Sequence, residues 1–331
     1  MNSLVSCIDE FKNRSILVLG DIIGDEFIEG YPERLSREAP VLILRQQERR
    51  ILPGGAANAG NNICSLGGDV KMLGLVGDDE AGQALLESME ERGMNISPVL
   101  RDESRPTTLK TRVLAGGDQV VKQQIVRIDH LDNSVIDREC EQEIIARFKK
   151  VADGADGILL SDYGNGLFTP GIIEEVLMVA GEMDKPVAVD SRYSLADFRG
   201  ATVATPNLEE AGLMLERELK SQNEVEEAGR IIIEKMELDY LLITQGGDGM
   251  TLFTEDSEPV HIPAANFTEV YDVTGAGDTV VGTLILALTS GVEPLAAVRL
   301  ANFAAGIVIR KSGVAAVHLE ELKEVVMENE G

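Results

Sequence analysis

Short apolar runs that end in polar loops alternate with helical patterns along most of the chain. Apolar runs typical of buried strands lie at 16–20, 70–76, 157–160, 186–189, 202–204 and 240–243. Helical patterns lie at about 58–66, 80–92, 134–152, 170–183, 222–236 and 280–288. The repeated strand–loop–helix order predicts an α/β fold with a mainly parallel central sheet and helices on both faces. We expect residues 1–331 to form one such domain.

A small β-lid is predicted from two segments that lack this alternation. Residues 24–51 carry no helix pattern and are interrupted by Pro32 and Pro40. Residues 105–130 contain two alternating runs separated by a Gly-Gly-Asp turn, which is a hairpin signature. We expect the two segments to project together from the main sheet.

Basic side chains on the lid hairpin have two possible roles. Period-2 geometry puts Lys110 and Arg112 on one face of a strand, and Arg127 shares a face with Asp129 on the returning strand. Solvated cations commonly protect an exposed sheet edge. The alternative is that this basic face turns toward a substrate.

The composition excludes several classes of partner. Apolar residues make up 44% and charged residues 26%, as in ordinary soluble globular proteins. The formal charge of −27 argues against a nucleic-acid or anionic-membrane surface, so an anionic substrate would need a local group of cations. No apolar run approaches the length of about 18 residues that a membrane span needs.

The cysteines and the N-terminal segment indicate a cytoplasmic protein. Cys7, Cys64 and Cys140 lie far apart without metal or redox spacing, and three thiols cannot all pair within one chain. Asp9 and Glu10 lie among the first dozen residues, so we expect no signal peptide.

Residues 271–282 carry the most informative pattern, Tyr-Asp-Val-Thr-Gly-Ala-Gly-Asp-Thr-Val-Val-Gly. A strand-like stretch at 267–271 precedes it and the helical pattern at 280–288 follows, so its small residues lie at a helix N-terminus. Backbone N–H groups at such a position attract anions.

The acid in this stretch needs a separate explanation. Gly275, Ala276 and Gly277 would allow close approach of a phosphate, which the carboxylate of Asp278 would repel. Asp278 makes sense if it accepts a proton from a hydroxyl that attacks phosphorus. The alternative from spacing alone is an ordinary glycine-rich turn with an acid that caps the helix dipole.

The motif Asp272-Val-Thr-Gly-Ala-Gly-Asp278 resembles the C-terminal signature of the ribokinase/PfkB carbohydrate kinase family. The resemblance implies a ribokinase-like fold, ATP as phosphoryl donor, an anion hole at 275–277 and Asp278 as the catalytic base. Gly54-Gly55-x-x-Asn58 resembles the sugar-binding motif of this family. Asp21, directly after the first strand, matches an acid that binds sugar hydroxyls in the family.

The resemblance also implies where the nucleotide and metal bind. Asn207 and Glu210 resemble the Asn-x-x-Glu motif that positions Mg²⁺ and phosphate through water. From the residues alone, Glu210 could equally be a solvated acid in a helix's first turn. Thr244-x-Gly246-x-x-Gly249 resembles the loop that runs along the nucleotide phosphates.

Two further positions are carried over from the family. A helix at 302–309, with Asn302, is implied near the adenine, although its small residues could serve only helix packing. Asp272 and Thr274 match positions that help some relatives hold a monovalent cation such as K⁺. Relatives also often dock two lids against each other, so we expect a homodimer that covers the exposed lid edges.

Within the family, the resemblance is greatest to kinase domains that act on D-glycero-β-D-manno-heptose 7-phosphate. The supporting stretches are 34–41, 53–58, 105–112, 161–164 and 269–278. The implied reaction forms the 1,7-bisphosphate, with Asp162, Lys110, Arg112, Arg127 and Arg192 among the substrate contacts. Such kinases usually have Lys at the position of Asn165 and Asp-Pro-Lys in place of Asp190-Ser-Arg192. These departures put the substrate, rather than the chemistry, in question.

Three alternatives stay open at this point. The first is a kinase for another sugar, such as fructose or ribose, and the second is a non-catalytic protein that binds sugar or nucleotide. The third, an NAD-dependent oxidoreductase, is disfavoured because Gly20 and Gly24 alone do not make the Gly-x-Gly-x-x-Gly motif. Many heptose-phosphate kinases are fused to a nucleotidyltransferase, and we expect none within these residues.

Overall fold

The computed structural model describes residues 4–117, 122–255, 257–265, 272–311, 313 and 315–330. The predicted strand at 267–271 and the turn residue Asp118 lie outside the described residues.

The elements follow the strand–loop–helix order of the sequence. The strands are β1 Ser15–Gly20, β2 Ile22–Leu35, β3 Leu42–Gly55, β4 Asp69–Leu73, β5 Leu75–Gly77, β6 Leu100–Asp102, β7 Leu109–Ala115, β8 Gln123–His130, β9 Gly157–Asp162, β10 Val187–Ser191, β11 Val203–Ala204, β12 Tyr240–Thr244, β13 Met250–Thr254 and β14 Val260–Ile262. The helices are α1 Leu4–Ile8, α2 Ala56–Ser65, α3 Glu80–Glu90, α4 Arg138–Ala152, α5 Pro170–Glu182, α6 Leu208–Met214, α7 Gln222–Met236, α8 Ala276–Thr289, α9 Pro294–Val308 and α10 Leu319–Glu330.

A mainly parallel sheet forms the centre of the described part of the chain. Its eight strands run in the order β14-β13-β12-β11-β10-β9-β1-β4; the pairs β12–β13 and β13–β14 are antiparallel and the other pairs are parallel. Strands β1 and β9 are buried along nearly their whole length, which explains their continuous apolar runs. Register places Gly20 beside Ser161, and Asp162 beside Ser191, so these strands end at one edge of the sheet.

Helices cover both faces of this sheet. One apolar core packs beneath α2, α8, α9 and α10, and a second packs beneath α4, α5 and α7. Several helices begin where the chain supplies a cap: Asp137 accepts a hydrogen bond from the backbone of Cys140, and Thr169 precedes Pro170. Among the described helices, none is long and apolar enough to cross a lipid bilayer.

The two predicted lid segments form a separate sheet in the order β3-β2-β7-β8. Strand β2 leaves the main domain directly after β1, pairs antiparallel with β3 along its length and lies parallel to β7. Strand β8 is exposed throughout and forms one edge of the lid. The lid strands therefore start at the same sheet edge where β1 and β9 end.

Some predicted boundaries differ from the structure. The run at 70–76 divides into β4 and β5, and β5 pairs with β6 in a separate small sheet. The division falls at Gly74, where a Cβ would clash with the carbonyl oxygen of Gly20. Helix α9 begins at Pro294, eight residues before the predicted start at Asn302, because proline is favoured at the first helical position.

Candidate active site

The loops that follow the parallel strands converge with the lid on a cavity of about 700 Å³. Parallel strands carry their carboxyl-end loops to one edge, which is where open α/β sheets bind ligands. The predicted site residues that line this cavity are Gly55, Asn58, Lys110, Arg112, Arg127, Asp162, Arg192, Asn207, Glu210, Thr244, Gly275, Gly277 and Asp278. Thr274 lines it as well.

Asp278 lies in the first turn of α8 and is buried, with 5% of its surface exposed. Its Oδ2 accepts a hydrogen bond of 2.6 Å from Asn58 Nδ2, and its Oδ1 accepts one of 2.8 Å from the hydroxyl of Tyr163. Burial raises the pKa of Asp278 to about 6, although both hydrogen bonds act to lower it. The side chain is therefore mostly ionised at pH 7 and is able to accept a proton.

The turn before α8 presents backbone donors beside this carboxylate. Gly275 has φ +80°, and a Cβ on it would lie 2.6 Å from Asn58 Nδ2, so glycine is required there. The amide of Ala276 donates to the carbonyl of Val273. The amides of Gly275, Gly277 and Asp278 have no acceptor among the described residues, so all three are available to an anion.

The lid contributes cations of two kinds. Arg112 forms a close ion pair with Asp25, and Arg127 binds both carboxylate oxygens of Asp129 at 2.8 Å. Lys110 lies with its ammonium 5.3 Å from the centre of the Tyr163 ring. Burial lowers the pKa of Lys110. Two of the predicted lid cations are thus already neutralised, whereas Lys110 has no carboxylate partner within the described ranges.

Arg192 reaches the same place from the loop after β10. Its guanidinium lies 5.8 Å from the centre of the Tyr163 ring, and it too has no ion-pair partner in the described part of the chain. Lys110 and Arg192 therefore both lie against one aromatic ring at the cavity wall. They are the cationic side chains most available to an anionic ligand.

Asp21 does not line this cavity. Its Oδ2 accepts hydrogen bonds from the backbone amides of Tyr163 at 2.8 Å and Asn165 at 3.1 Å. Burial raises the pKa of Asp21 to about 6. The acid that faces the cavity from this segment is Asp25, on β2, for which no role was predicted from the sequence.

The local backbone explains why positions 54 and 55, beside Asp25, are both glycine. A Cβ on Gly54 would collide with the Asp25 carboxylate, and Gly55 has φ +56° just before α2. Asp162 is held in place by hydrogen bonds from Gly164 N and Ser191 Oγ, at 2.9 and 2.7 Å. Period-2 alternation could have indicated the position of Asp25. It places Asp25 on the same face of the strand as Ile23, and both residues line the cavity.

Asn207 and Glu210 form a capping box at the start of α6. Asn207 Oδ1 accepts from the amide of Glu210, and Glu210 Oε2 accepts from the amide of Asn207, both at 2.9 Å. The second Glu210 oxygen stays available to a ligand. Burial raises the pKa of Glu210. Burial also raises the pKa of nearby Asp190, and the negative charges of Asp278 and Glu210 raise it further. No role for Asp190 was predicted from the sequence.

The remaining predicted residues do not line the cavity. Gly246 and Gly249 shape the loop after β12, with φ +58° and +99°. Asn302 Nδ2 donates to the carbonyl of Pro263 at 2.8 Å, and its Oδ1 accepts from the amide of Ala265, so both ends of its side chain hold a backbone segment. Asp272 accepts hydrogen bonds from the amides of Thr274 and Gly313.

Sequence comparison gives matches over nearly the whole chain. A sequence model described as "pfkB family carbohydrate kinase" matches residues 13–321. The protein named bifunctional protein HldE from Pelobacter propionicus is 38% identical over 325 residues, which cover 98% of this chain and 65% of that protein. The protein of the same name from Helicobacter hepaticus is 38% identical over 318 residues, with coverage of 96% and 64%. The chain thus spans less than two thirds of the length of these relatives.

Solved structures share the fold. Phosphofructokinase-2 from Escherichia coli, solved in complex with substrates and products, superposes with a TM-score of 0.77 at 15% identity and covers 96% of this chain and 99% of that chain. Ribokinase from Arabidopsis thaliana, solved with ribose and ATP, superposes with a TM-score of 0.69 at 17% identity, with coverage of 95% and 98%. These structural matches confirm the predicted fold, and the family model confirms the predicted class of enzyme. The family model and the fold together show that this chain belongs to the pfkB family of carbohydrate kinases.

Proposed function

We propose that this protein transfers the γ-phosphoryl group of ATP to a hydroxyl of a sugar that already carries a phosphate. The proposed sugar is D-glycero-β-D-manno-heptose 7-phosphate, and the product is its 1,7-bisphosphate. The observation that carries the proposal is a buried, hydrogen-bonded Asp278 that shares one cavity with free helix amides and two unpaired cations.

Asp278 is the proposed general base. Its carboxylate is fixed at both oxygens by Asn58 and Tyr163, and each oxygen keeps a further lone pair for a sugar hydroxyl. The raised pKa of about 6 leaves it ionised at neutral pH and makes it a better proton acceptor than an exposed aspartate. It would take the proton as the sugar oxygen attacks phosphorus.

The amides of Gly277 and Asp278 are proposed to hold the charge that develops on the transferred group. They lie at the start of α8, where the helix dipole favours an anion. Gly277 has open space where a Cβ would stand, so a phosphate oxygen can approach its backbone. The base and the anion donors thus lie within one helical turn.

The phosphate already on the sugar is proposed to bind Lys110 and Arg192. With a formal charge of −27, this chain repels a sugar phosphate at long range, so acceptance requires local cations without carboxylate partners. Lys110 and Arg192 meet that condition, and the guanidinium of Arg192 can bind two phosphate oxygens at once. Arg112 and Arg127 are occupied by Asp25 and Asp129.

The site residues fit a hydrated Mg²⁺ that arrives with ATP. Among the described residues, no group of three metal-ligating side chains is arranged to hold a metal ion directly. Asp190 and Glu210 line the cavity with mutually unfavourable charges, which a water-bridged cation would offset. When bound, Mg²⁺ would neutralise charge on the ATP phosphates. Asn207 and Thr244 line the same side and would contact the nucleotide.

Three further predictions accompany this proposal. A monovalent cation at Asp272 stays a prediction. In the structure, the carboxylate of Asp272 accepts two amide hydrogen bonds. A homodimer through the lid is supported by Val126 and Ile128 on the edge strand β8, which are 46% and 57% exposed. We also propose that the protein is cytoplasmic, from its unpaired cysteines and the acidic residues near its N-terminus.

The test is a kinase assay across a panel of sugars with ATP and Mg²⁺. Heptose 7-phosphate should be phosphorylated far better than unphosphorylated heptose, fructose or ribose. Equal or better turnover of a neutral sugar would refute the proposed substrate and leave the carbohydrate kinase class. The Asp278→Asn variant is the control. It should bind ATP normally but transfer phosphate far more slowly than the wild type.

A further inference from the structure

We propose that Tyr163 is a positioning residue, whose hydroxyl holds the carboxylate of Asp278 in the orientation required for proton transfer. The inference rests on the proposed function, because it assumes that Asp278 is the base. Nothing in the family resemblance assigned a role to this side chain.

The geometry around Asp278 is the first argument. The terminal torsion of an aspartate is broad, so a carboxylate held at one oxygen can still rotate. Here Asn58 donates to Oδ2 at 2.6 Å and Tyr163 donates to Oδ1 at 2.8 Å, from opposite regions of the chain. Two donors on different oxygens define the carboxylate plane, and hence the direction in which the free lone pairs point.

Tyr163 itself is held at its backbone amide and at its ring. Its amide donates to the buried carboxylate of Asp21 at 2.8 Å, and that same oxygen also accepts from the amide of Asn165. Lys110 and Arg192 lie 5.3 and 5.8 Å from its ring centre. A side chain fixed in this way can position a catalytic group, whereas a mobile surface tyrosine could not.

The charges that face Asp278 come from several elements. Asp25 on β2 and Asp190 on β10 repel its ionised form, and Lys110 on β7 stabilises it. The neutral donors are Asn58 and Tyr163. Loss of the Tyr163 hydroxyl would leave the repulsive carboxylates in place and remove one of the two donors, so the protonated form of Asp278 would persist to higher pH.

The test is the Tyr163→Phe variant, which removes the hydroxyl and keeps the ring beside its two cations. We expect kcat to fall about ten- to a hundredfold, the usual effect of losing a hydrogen bond to a charged group. KM for the sugar phosphate and for ATP should stay within about threefold, because the variant keeps the groups that bind them. The acid limb of the kcat profile should move to higher pH by about one unit.

Tyr240→Phe is the matched control. Tyr240 is the first residue of β12, at the amino-terminal end of that strand, and it does not line the cavity. It should match the wild type in every measurement. A merely structural role for Tyr163 would lower the melting temperature and leave the acid limb unmoved, and that result would overturn the inference. So would an unchanged kcat.

A second measurement does not depend on turnover. The Asp278 carboxyl can be followed by ¹³C NMR in the free protein, and its pKa should rise in Tyr163→Phe. Site-specific 3-fluorotyrosine at position 163 keeps the shape and strengthens the donor, so it should move the same titration to lower pH. If neither substitution moves the titration, the inference is wrong. If both move it but the wild type phosphorylates no sugar, the proposed function fails and the positioning of Asp278 by Tyr163 stands.

Discussion

The most direct prediction concerns the pH dependence of turnover. Burial raises the pKa of Asp278 from 3.8 to about 6, against the opposing effect of two hydrogen bonds and Lys110. If the ionised carboxylate is the base, the rate at substrate concentrations below KM, which reports the free enzyme, should be half-maximal at about pH 6. The ionised fraction then implies about 90% of the plateau rate at pH 7 and about 10% at pH 5, with a tenfold change per pH unit below the midpoint. An exposed aspartate would instead keep nearly full activity at pH 5.

The assay is product formation with ATP and sugar phosphate both below KM from pH 4.5 to 8.5, measured by ³¹P NMR so that no coupling enzyme is needed. Phosphate monoesters also titrate near pH 6, so substrate ionisation must be separated from that of the enzyme. A ¹³C titration of the free protein, compared with Asp278→Asn, identifies the carboxyl itself. Asp278→Asn should also lower kcat by about 10²–10⁴-fold. A midpoint below pH 5, or an unchanged rate in the variant, would refute the assignment of the base.

Other substitutions separate binding from positioning. Lys110→Ala should raise KM for the sugar phosphate severalfold and leave KM for ATP unchanged. Arg127→Ala should have a smaller effect on KM for the sugar phosphate, because Asp129 already neutralises Arg127. Equal effects of the two substitutions in steady-state kinetics would contradict this. Gly275→Ala should lower stability by about 1–2 kcal/mol in urea unfolding, because φ is +80°. Gly277→Ala should lower kcat at an unchanged urea midpoint, since its Cβ meets no atom within 4 Å. Light scattering at micromolar protein should give a dimer mass, and a monomer mass would reject pairing through the lid.

The sheet and the position of Asp278 at the start of a helix beside the cavity were predictable because they depend on strong local patterns. A strand such as β9, buried on both faces, must be apolar throughout, and its polar continuation must lie at the ligand edge. The small residues before Asp278 likewise indicate a helix start that admits an anion. Asn58 was predicted at the site from its motif, and the structure places its amide on Asp278.

Other features depend on contacts that no local pattern encodes. Whether Asp21 or Asp25 faces the cavity is decided by where β1 ends and by which backbone amides lie opposite, here those of Tyr163 and Asn165. The neutralisation of Arg112 by Asp25 requires β2 to lie beside β7 in the observed register. From the sequence, Arg112 was expected to be an available cation because its partner Asp25 comes from the lid's strand pairing, which a local pattern cannot predict.

The long-range hydrogen bonds at Asp278 have a consequence for biosynthesis and refolding. Asn58 and Asp278 are 220 positions apart, and Tyr163 and Asp278 are 115 apart. Such contacts form only after the entropy of closing a long loop has been offset, and folds dominated by them assemble slowly. A nascent chain on the ribosome can pair β1 with β4 long before α8 is synthesised. Helical circular dichroism should therefore recover before catalytic activity when the denatured protein is diluted into buffer.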